Sequence, residues 1–148
     1  MPRKGNVLFV CSHNSARSQM AEGWLRQMAG DRFQAFSAGV EPGTLNPLAV
    51  RAMAEVGIDL SGHQAQGVDQ YLGRAAVHYL IVVCDKAART CPRIWPGMRE
   101  RFIWAFDDPS AAEGTDEQKL AVFRRVRDGI RAKLEAWVAD SSDVEATA

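Results

Sequence analysis

The chain has 148 residues, 47% of them apolar and 24% charged, which is the size and make-up of one globular domain with a real core. Its 18 basic and 18 acidic side chains cancel, so there is no basic field for nucleic acid and no acidic disordered tail. No apolar run reaches the length of a membrane span, and the opening Met1-Pro2-Arg3-Lys4-Gly5 leads into an apolar stretch too short for a secretion signal. A cytoplasmic, monomeric protein is expected, with no membrane or nucleic-acid partner. In a reducing compartment its three cysteines read as catalytic, metal-binding or core residues rather than as a disulfide framework.

In chain order, Asn6 to Val10 is a continuous apolar run, the pattern of a strand buried on both faces. A loop, Cys11 to Arg17, separates it from a helix whose buried face carries Met20, Ala21, Trp24, Leu25 and Met28, and which Gly30 ends. A second strand is predicted over Gln34 to Ala38. Asn46 as N-cap, Pro47 at the first helical position and Gly57 at the end define a second helix, with Ala49, Ala52, Met53 and Val56 inward. Residues 58–73 carry little pattern beyond a short helix near Val68 to Leu72. Val77 to Val83 is a third strand running into Cys84. Arg101 to Phe106 is a fourth, running into Asp107-Asp108-Pro109. The last helix opens on a capping box, Thr115 with Gln118, and buries Leu120, Phe123, Val126, Ile130, Leu134 and Trp137. Its basic run, Arg124-Arg125-Val126-Arg127, reads as a solvated face. The domain is taken as residues 1–139, with 140–148 as a frayed tail.

Strands alternating with helices imply an α/β sandwich: a four-stranded parallel sheet, order 2-1-3-4, with helices on both faces. In that order the first and third strands are neighbours at a topological switch point, where ligands bind beyond the strands' carboxyl ends. Cys11 and Cys84 each follow one of these strands. Neighbouring strands lie about 4.8 Å apart, so the two cysteines meet although far apart in sequence.

The loop reads Cys11-Ser12-His13-Asn14-Ser15-Ala16-Arg17-Ser18. A cysteine, five residues, then arginine and serine, between strand and helix, make an oxyanion cradle. The N–H groups of Ser12, His13, Asn14, Ser15 and Ala16 and the helix N-terminus favour negative charge at one point. Arg17 can fork onto two oxygens of a tetrahedral anion, and Ser18 can donate to the Cys11 sulfur. A zinc site is disfavoured: there is no Cys-x-x-Cys, and His13, His63 and His78 have no ligand spacing. No metal is expected, and His78, inside a strand, reads as structural.

These residues resemble the low-molecular-weight tyrosine phosphatase family, and within it the arsenate reductases that work with thioredoxin. The likeness runs to about Val138 and includes Met20-Ala21-Glu22-Gly23, Ser37-Ala38-Gly39, Asn46-Pro47, His63, Cys84, Cys91 and Asp107-Asp108-Pro109. Phosphatases of the family usually carry proline after the Arg-Ser pair, where this chain has Gln19. They often carry tyrosines after Asp-Pro, where this chain has Ser110-Ala111.

The resemblance implies that Cys11 attacks arsenate, with Asp108 protonating the displaced oxygen. Cys84 then attacks Cys11, and Cys91 attacks Cys84. Reduced thioredoxin reopens the Cys84–Cys91 disulfide, with a glutaredoxin-type donor as the alternative and no tightly bound cofactor. Some members hold potassium near positions matching Asn14, Glu22 and Ser37; the acid completing that site falls on Gln66 here, and the ion is not expected. The rival readings are a phosphomonoester hydrolase, which needs only Cys11, and a non-enzymatic thiol sensor, which needs no general acid.

Cys84 and Cys91 also pose a geometric condition. Were residues 85–91 helical, the pair would stand about 10 Å apart along the axis, whereas a disulfide needs alpha carbons within about 7 Å. The segment would then have to unwind during turnover.

Overall fold

A computed structural model describes residues 5–93 and 95–147, with side chains described to 140. Four parallel strands form one sheet: β1 (Gly5–Cys11), β2 (Phe33–Gly39), β3 (Tyr79–Val82) and β4 (Glu100–Ile103), in the order β2-β1-β3-β4. The helices are α1 (Arg17–Ala29), α2 (Pro47–Ala54), α3 (Asp85–Thr90) and α4 (Asp116–Thr147). From the β1/β3 boundary, β1 to β2 runs one way along the sheet and β3 to β4 the other. Right-handed crossovers therefore put α1 and α3 on opposite faces. α4 returns to pack on α1 and α2, while α3 lies against β1 and β3.

The central strands are apolar without alternation because both faces are covered: Val7, Leu8, Phe9, Val10, Leu80, Ile81 and Val82 have no exposed surface. The stripe predicted for α4 is buried in full, and Trp137 packs on Phe33 with ring centroids 4.9 Å apart. The predicted caps form. Asn46 Oδ1 accepts from Leu48 N–H at 2.8 Å. Thr115 Oγ1 accepts from Gln118 N–H at 3.2 Å, and Gln118 Oε1 from Thr115 N–H at 2.8 Å. Gly57 ends its segment at φ +83, a left-handed conformation that glycine adopts without strain.

Four expectations need adjustment. The third strand is Tyr79–Val82 rather than Val77 to Val83, so His78 stands just before it. The fourth strand ends at Ile103 rather than Phe106; residues 104–108 are irregular, although Trp104 N–H still donates to Val82 O at 2.8 Å and Phe106 N–H to Val83 O at 3.3 Å. The helix near Val68 is a single 3-10 turn, Val68–Gln70. The basic run of α4 is not simply solvated: Arg127 is buried, donating to Ala52 O at 2.9 Å and Glu55 Oε1 at 2.8 Å. Arg124 forks onto the same Glu55 carboxylate at 2.6 and 2.9 Å. The run clamps α4 to the end of α2. The backbone of α4 is helical to Thr147; the frayed tail expected over 140–148 otherwise lies outside the described residues. No helix among the described residues is long and apolar enough to cross a membrane.

Candidate active site

The register Val10↔Val82 between β1 and β3 delivers Cys11 and Cys84 to the same end of the sheet, where the chain leaves each strand. Both thiols are buried. Ser12 Oγ lies 3.4 Å from Cys84 Sγ, so the second cysteine adjoins the first residue of the loop that Cys11 opens.

Two groups converge on Cys11 Sγ. Asn14 N–H donates at 3.2 Å, and Ser18 Oγ stands at 2.9 Å. Asn14 Nδ2 donates to Ser18 Oγ at 2.8 Å, which leaves the serine's own hydrogen to point at sulfur. Such a sulfur is held as an acceptor, the arrangement a thiolate nucleophile needs. α1 begins directly behind it, with no side-chain cap and no acid in its first turn among the described residues. Its N-terminal N–H groups thus remain aimed at the loop.

The loop's shape depends on Asn14, which adopts φ +54, the left-handed region that asparagine tolerates better than most residues. Its buried side chain makes three hydrogen bonds. Nδ2 donates to Ser18, and Oδ1 accepts from Gln19 Nε2 at 3.0 Å and from Gln66 N–H at 2.8 Å. Gln19 Nε2 also donates to Gln64 O at 3.0 Å, so its Oε1 is left to accept from His63 Nδ1 at 3.0 Å. Gln19, which fills the position of the phosphatases' proline, therefore ties the loop to residues 63–66. Sequence reading missed this brace; the lone signal was an uncharged amide directly after Arg-Ser. Gly39 completes the fit, because a Cβ there would stand 2.6 Å from the His13 carbonyl carbon.

The predicted loop residues divide by where they point. Ser12 faces Cys84, and Ala16 is buried. The exposed His13 ring turns to Glu41 O at 2.8 Å, while Ser15 O accepts from Asn46 N–H at 2.8 Å. His13 and Asn14 through their side chains and Ser15 through its carbonyl thus shape the loop. Arg17 lies between loop and Asp-Pro segment: Nη1 donates to Phe106 O at 3.1 Å, and Nη2 is 3.6 Å from Asp108 Oδ2. Asp108 also accepts from Ser110 N–H at 3.0 Å, capping the turn after Pro109. Asp107 points away, to Arg125 at 3.1 Å. His78 Nδ1 accepts from Asn6 N–H at 2.8 Å, a structural role.

Cys84 caps α3, its sulfur accepting from Ala87 N–H at 3.3 Å. Cys91 follows the other end of α3, where its N–H donates to Ala87 O at 2.8 Å. It is also buried rather than at the surface. Burial pushes its thiol up to about 11, against the pull of the Arg101 charge.

Asn14, Glu22, Ser37 and Gln66, the positions the resemblance connects with potassium, bond to one another and to neighbouring protein groups. Glu22 is taken by Ser37 Oγ at 2.7 Å and Arg26 Nη2 at 2.9 Å, and Asn14 Oδ1 by Gln19 and Gln66. The Gln66 side chain accepts from the Tyr71 hydroxyl. Among the described residues no group of three or more His, Cys, Asp or Glu is placed to hold a metal.

A buried cysteine in a Cys-x5-Arg-Ser loop, at the β1/β3 switch point of a 2-1-3-4 parallel sheet, defines a class. Residues 6–146 match the model of the low molecular weight phosphotyrosine protein phosphatase family, and the chain belongs to that family. Its relatives include arsenate reductases, while a tyrosine phosphatase of Erwinia amylovora shares the fold at 21% identity with a TM-score of 0.71. The chain is 47% identical to the arsenate reductase of Halalkalibacterium halodurans over 131 residues, covering 88% of this chain and 93% of that protein. An arsenate reductase solved in its phosphate-binding state superposes with a TM-score of 0.77 at 32% identity, over 92% of this chain and 98% of the other. The thioredoxin-dependent arsenate reductase of Corynebacterium glutamicum superposes with a TM-score of 0.66 at 25% identity, over 90% of this chain and 61% of that one.

Proposed function

We propose that this protein reduces arsenate to arsenite through Cys11, Cys84 and Cys91, with thioredoxin as electron donor, serving arsenic detoxification. The observation that carries the reading is the second thiol beside the anion loop, Cys84 Sγ at 3.4 Å from Ser12 Oγ. A hydrolase completes its cycle with water and has no use for that sulfur. The 47% identity to a named arsenate reductase supports the same substrate.

Arsenate binds to the loop N–H groups and Arg17. The Cys11 thiolate attacks arsenic, and an oxygen leaves as water with a proton from Asp108. The Cys84 thiolate then attacks Cys11 Sγ. The arsenic–sulfur bond breaks with its electron pair going to arsenic, which leaves as arsenite, and a Cys11–Cys84 disulfide remains. Cys91 attacks Cys84, forming Cys84–Cys91 and releasing Cys11 as thiolate. Two electrons from a dithiol partner reopen this disulfide. The helical state of 85–90 supports the geometric condition set by the spacing, so α3 unwinds for the last exchange. The protein acts as a cytoplasmic monomer with no tightly bound cofactor.

The test is arsenate-dependent NADPH oxidation with thioredoxin and thioredoxin reductase, alongside Cys11→Ser, Cys84→Ser and Cys91→Ser. The relay predicts that each variant abolishes turnover. Turnover surviving Cys91→Ser would point to a glutaredoxin-type donor. Hydrolysis of p-nitrophenyl phosphate needing only Cys11, with no arsenate-dependent turnover, would make the protein a phosphatase.

A further inference from the structure

The last exchange asks for two opposed things: a closed α3 while Cys11 reacts, and a Cys91 thiolate once α3 opens. One side chain bears on both, by contact with α3 and by its charge on Cys91. Arg101, on β4, donates from Nη2 to Ala88 O at 3.1 Å, among the C-terminal carbonyls of α3 that lack helical partners. Its Nε–H is buried and has no acceptor among the described residues. A guanidinium N–H shut from water without an acceptor is costly, and an anion brought beside it would remove that cost.

Cys91 supplies the candidate anion. Its thiol is buried, and its Sγ donates to Pro92 O at 3.4 Å, a bond that favours the neutral form. The groups that bear on it from neighbouring elements are Arg101 on β4, which favours the thiolate, and Cys84 after β3, which opposes it. On α3 itself, Asp85, Lys86 and Arg89 are exposed.

We propose that Arg101 is the positioning residue of the second exchange. It latches α3 through Ala88 O in the reduced enzyme, and pairs with the Cys91 thiolate when the helix opens. This rests on the relay reading above. Cys91 gives its proton to solvent, and its thiolate attacks Cys84 Sγ. The Cys84–Cys91 bond forms as the Cys11–Cys84 bond breaks, and Cys11 departs as thiolate. Arg101 keeps its proton throughout.

Two variants separate latch from charge. Arg101→Gln keeps an amide donor and loses the charge; Arg101→Lys keeps the charge and loses the fork. The measurement is rapid-quench single turnover with arsenate, thiol alkylation and mass mapping of disulfides, from pH 6 to pH 9. The expected result for Arg101→Gln is Cys84–Cys91 formation about tenfold slower at neutral pH, with its profile moved up by about one unit, and Arg101→Lys recovering most of the rate. Cys11–Cys84 formation, read in a Cys91→Ser background, stays within about twofold of its parent. A profile unmoved by Arg101→Gln, or an equal slowing of both exchanges, would overturn the proposal. Failure of the relay itself looks different: wild-type protein given arsenate would then form no Cys84–Cys91 disulfide at all.

Discussion

Ala88→Gly should speed the step that a rigid α3 would hold back. The helix spans Asp85–Thr90 and separates Cys84 from Cys91 by about 10 Å along its axis, against about 7 Å for a disulfide. Opening it breaks the bonds from Ala88 N–H to Cys84 O at 3.2 Å and from Cys91 N–H to Ala87 O at 2.8 Å. Ala88 is only partly buried, and its carbonyl, the acceptor for Arg101, is unchanged by the substitution. Glycine in a helix interior costs about 1 kcal/mol relative to alanine. If opening precedes attack, the open fraction rises by a factor of about five, and the Cys84–Cys91 exchange accelerates by the same factor. Rapid-quench mapping after one equivalent of arsenate reads it directly, with Cys11–Cys84 formation as the internal control. A second exchange that is unchanged or slower, while the control holds, would refute α3 opening as the gate. Equal amide hydrogen-exchange protection of 85–90 in reduced and oxidised protein would refute it independently.

Asn14→Ala removes three buried hydrogen bonds and puts a Cβ-bearing residue without a polar side chain at φ +54. At about 1 kcal/mol for each bond and 1–2 kcal/mol for the backbone, a loss of about 4 kcal/mol is expected in urea unfolding, with arsenate turnover lost. Gly39→Ala drives a Cβ into the His13 backbone, so turnover should collapse while the far-ultraviolet spectrum stays native. Hydrogen bonding from Arg124, then Arg127, lowers the Glu55 carboxyl from 4.5 to about 2. A depressed carboxyl stabilises the fold above its unfolded value and loses that contribution as pH falls toward the folded one. Stability should therefore decline between about pH 4.5 and about pH 2, and Glu55→Gln should flatten that limb of a thermal-melt series.

The features legible in the sequence are those written locally. Asn46-Pro47 and Thr115 with Gln118 announce their helix starts because the capping partners lie within three residues. The unbroken apolar runs of β1 and β3 announce burial on both faces. The fourth strand is overread because Phe102, Trp104 and Phe106 alternate like strand residues and the rings at 102 and 104 both face Trp137 of α4, while regular pairing with β3 stops at Val82↔Ile103. Arg127 was readable in principle. It lies four residues after Phe123 and three before Ile130, on the buried stripe, and only its charge argued for solvent. The brace from Gln19 to His63, Gln64 and Asn14 was not readable, because residues 58–66 carry no periodicity to place them.

In the proposed relay, burial explains why two cysteines would not suffice. Cys11 and Cys84 are each about 2% exposed, so a disulfide between them forms where no protein reductant reaches. The attack of a dithiol on a disulfide needs its sulfur in line with the nucleophile. A third cysteine moves the oxidation along the chain, but Cys91 at 5% exposure is no more accessible in the closed state. Export of the disulfide thus requires motion, and α3 is the six-residue element whose two ends carry the sulfurs concerned. A helix this short gains little from its own hydrogen bonds. What holds it closed is Ala87 in the core and Arg101 on Ala88 O, while Cys84 Sγ takes a helix N–H as cap. In that relay, oxidation of Cys84 would change the sulfur that serves as that cap and so weaken the element that opens next.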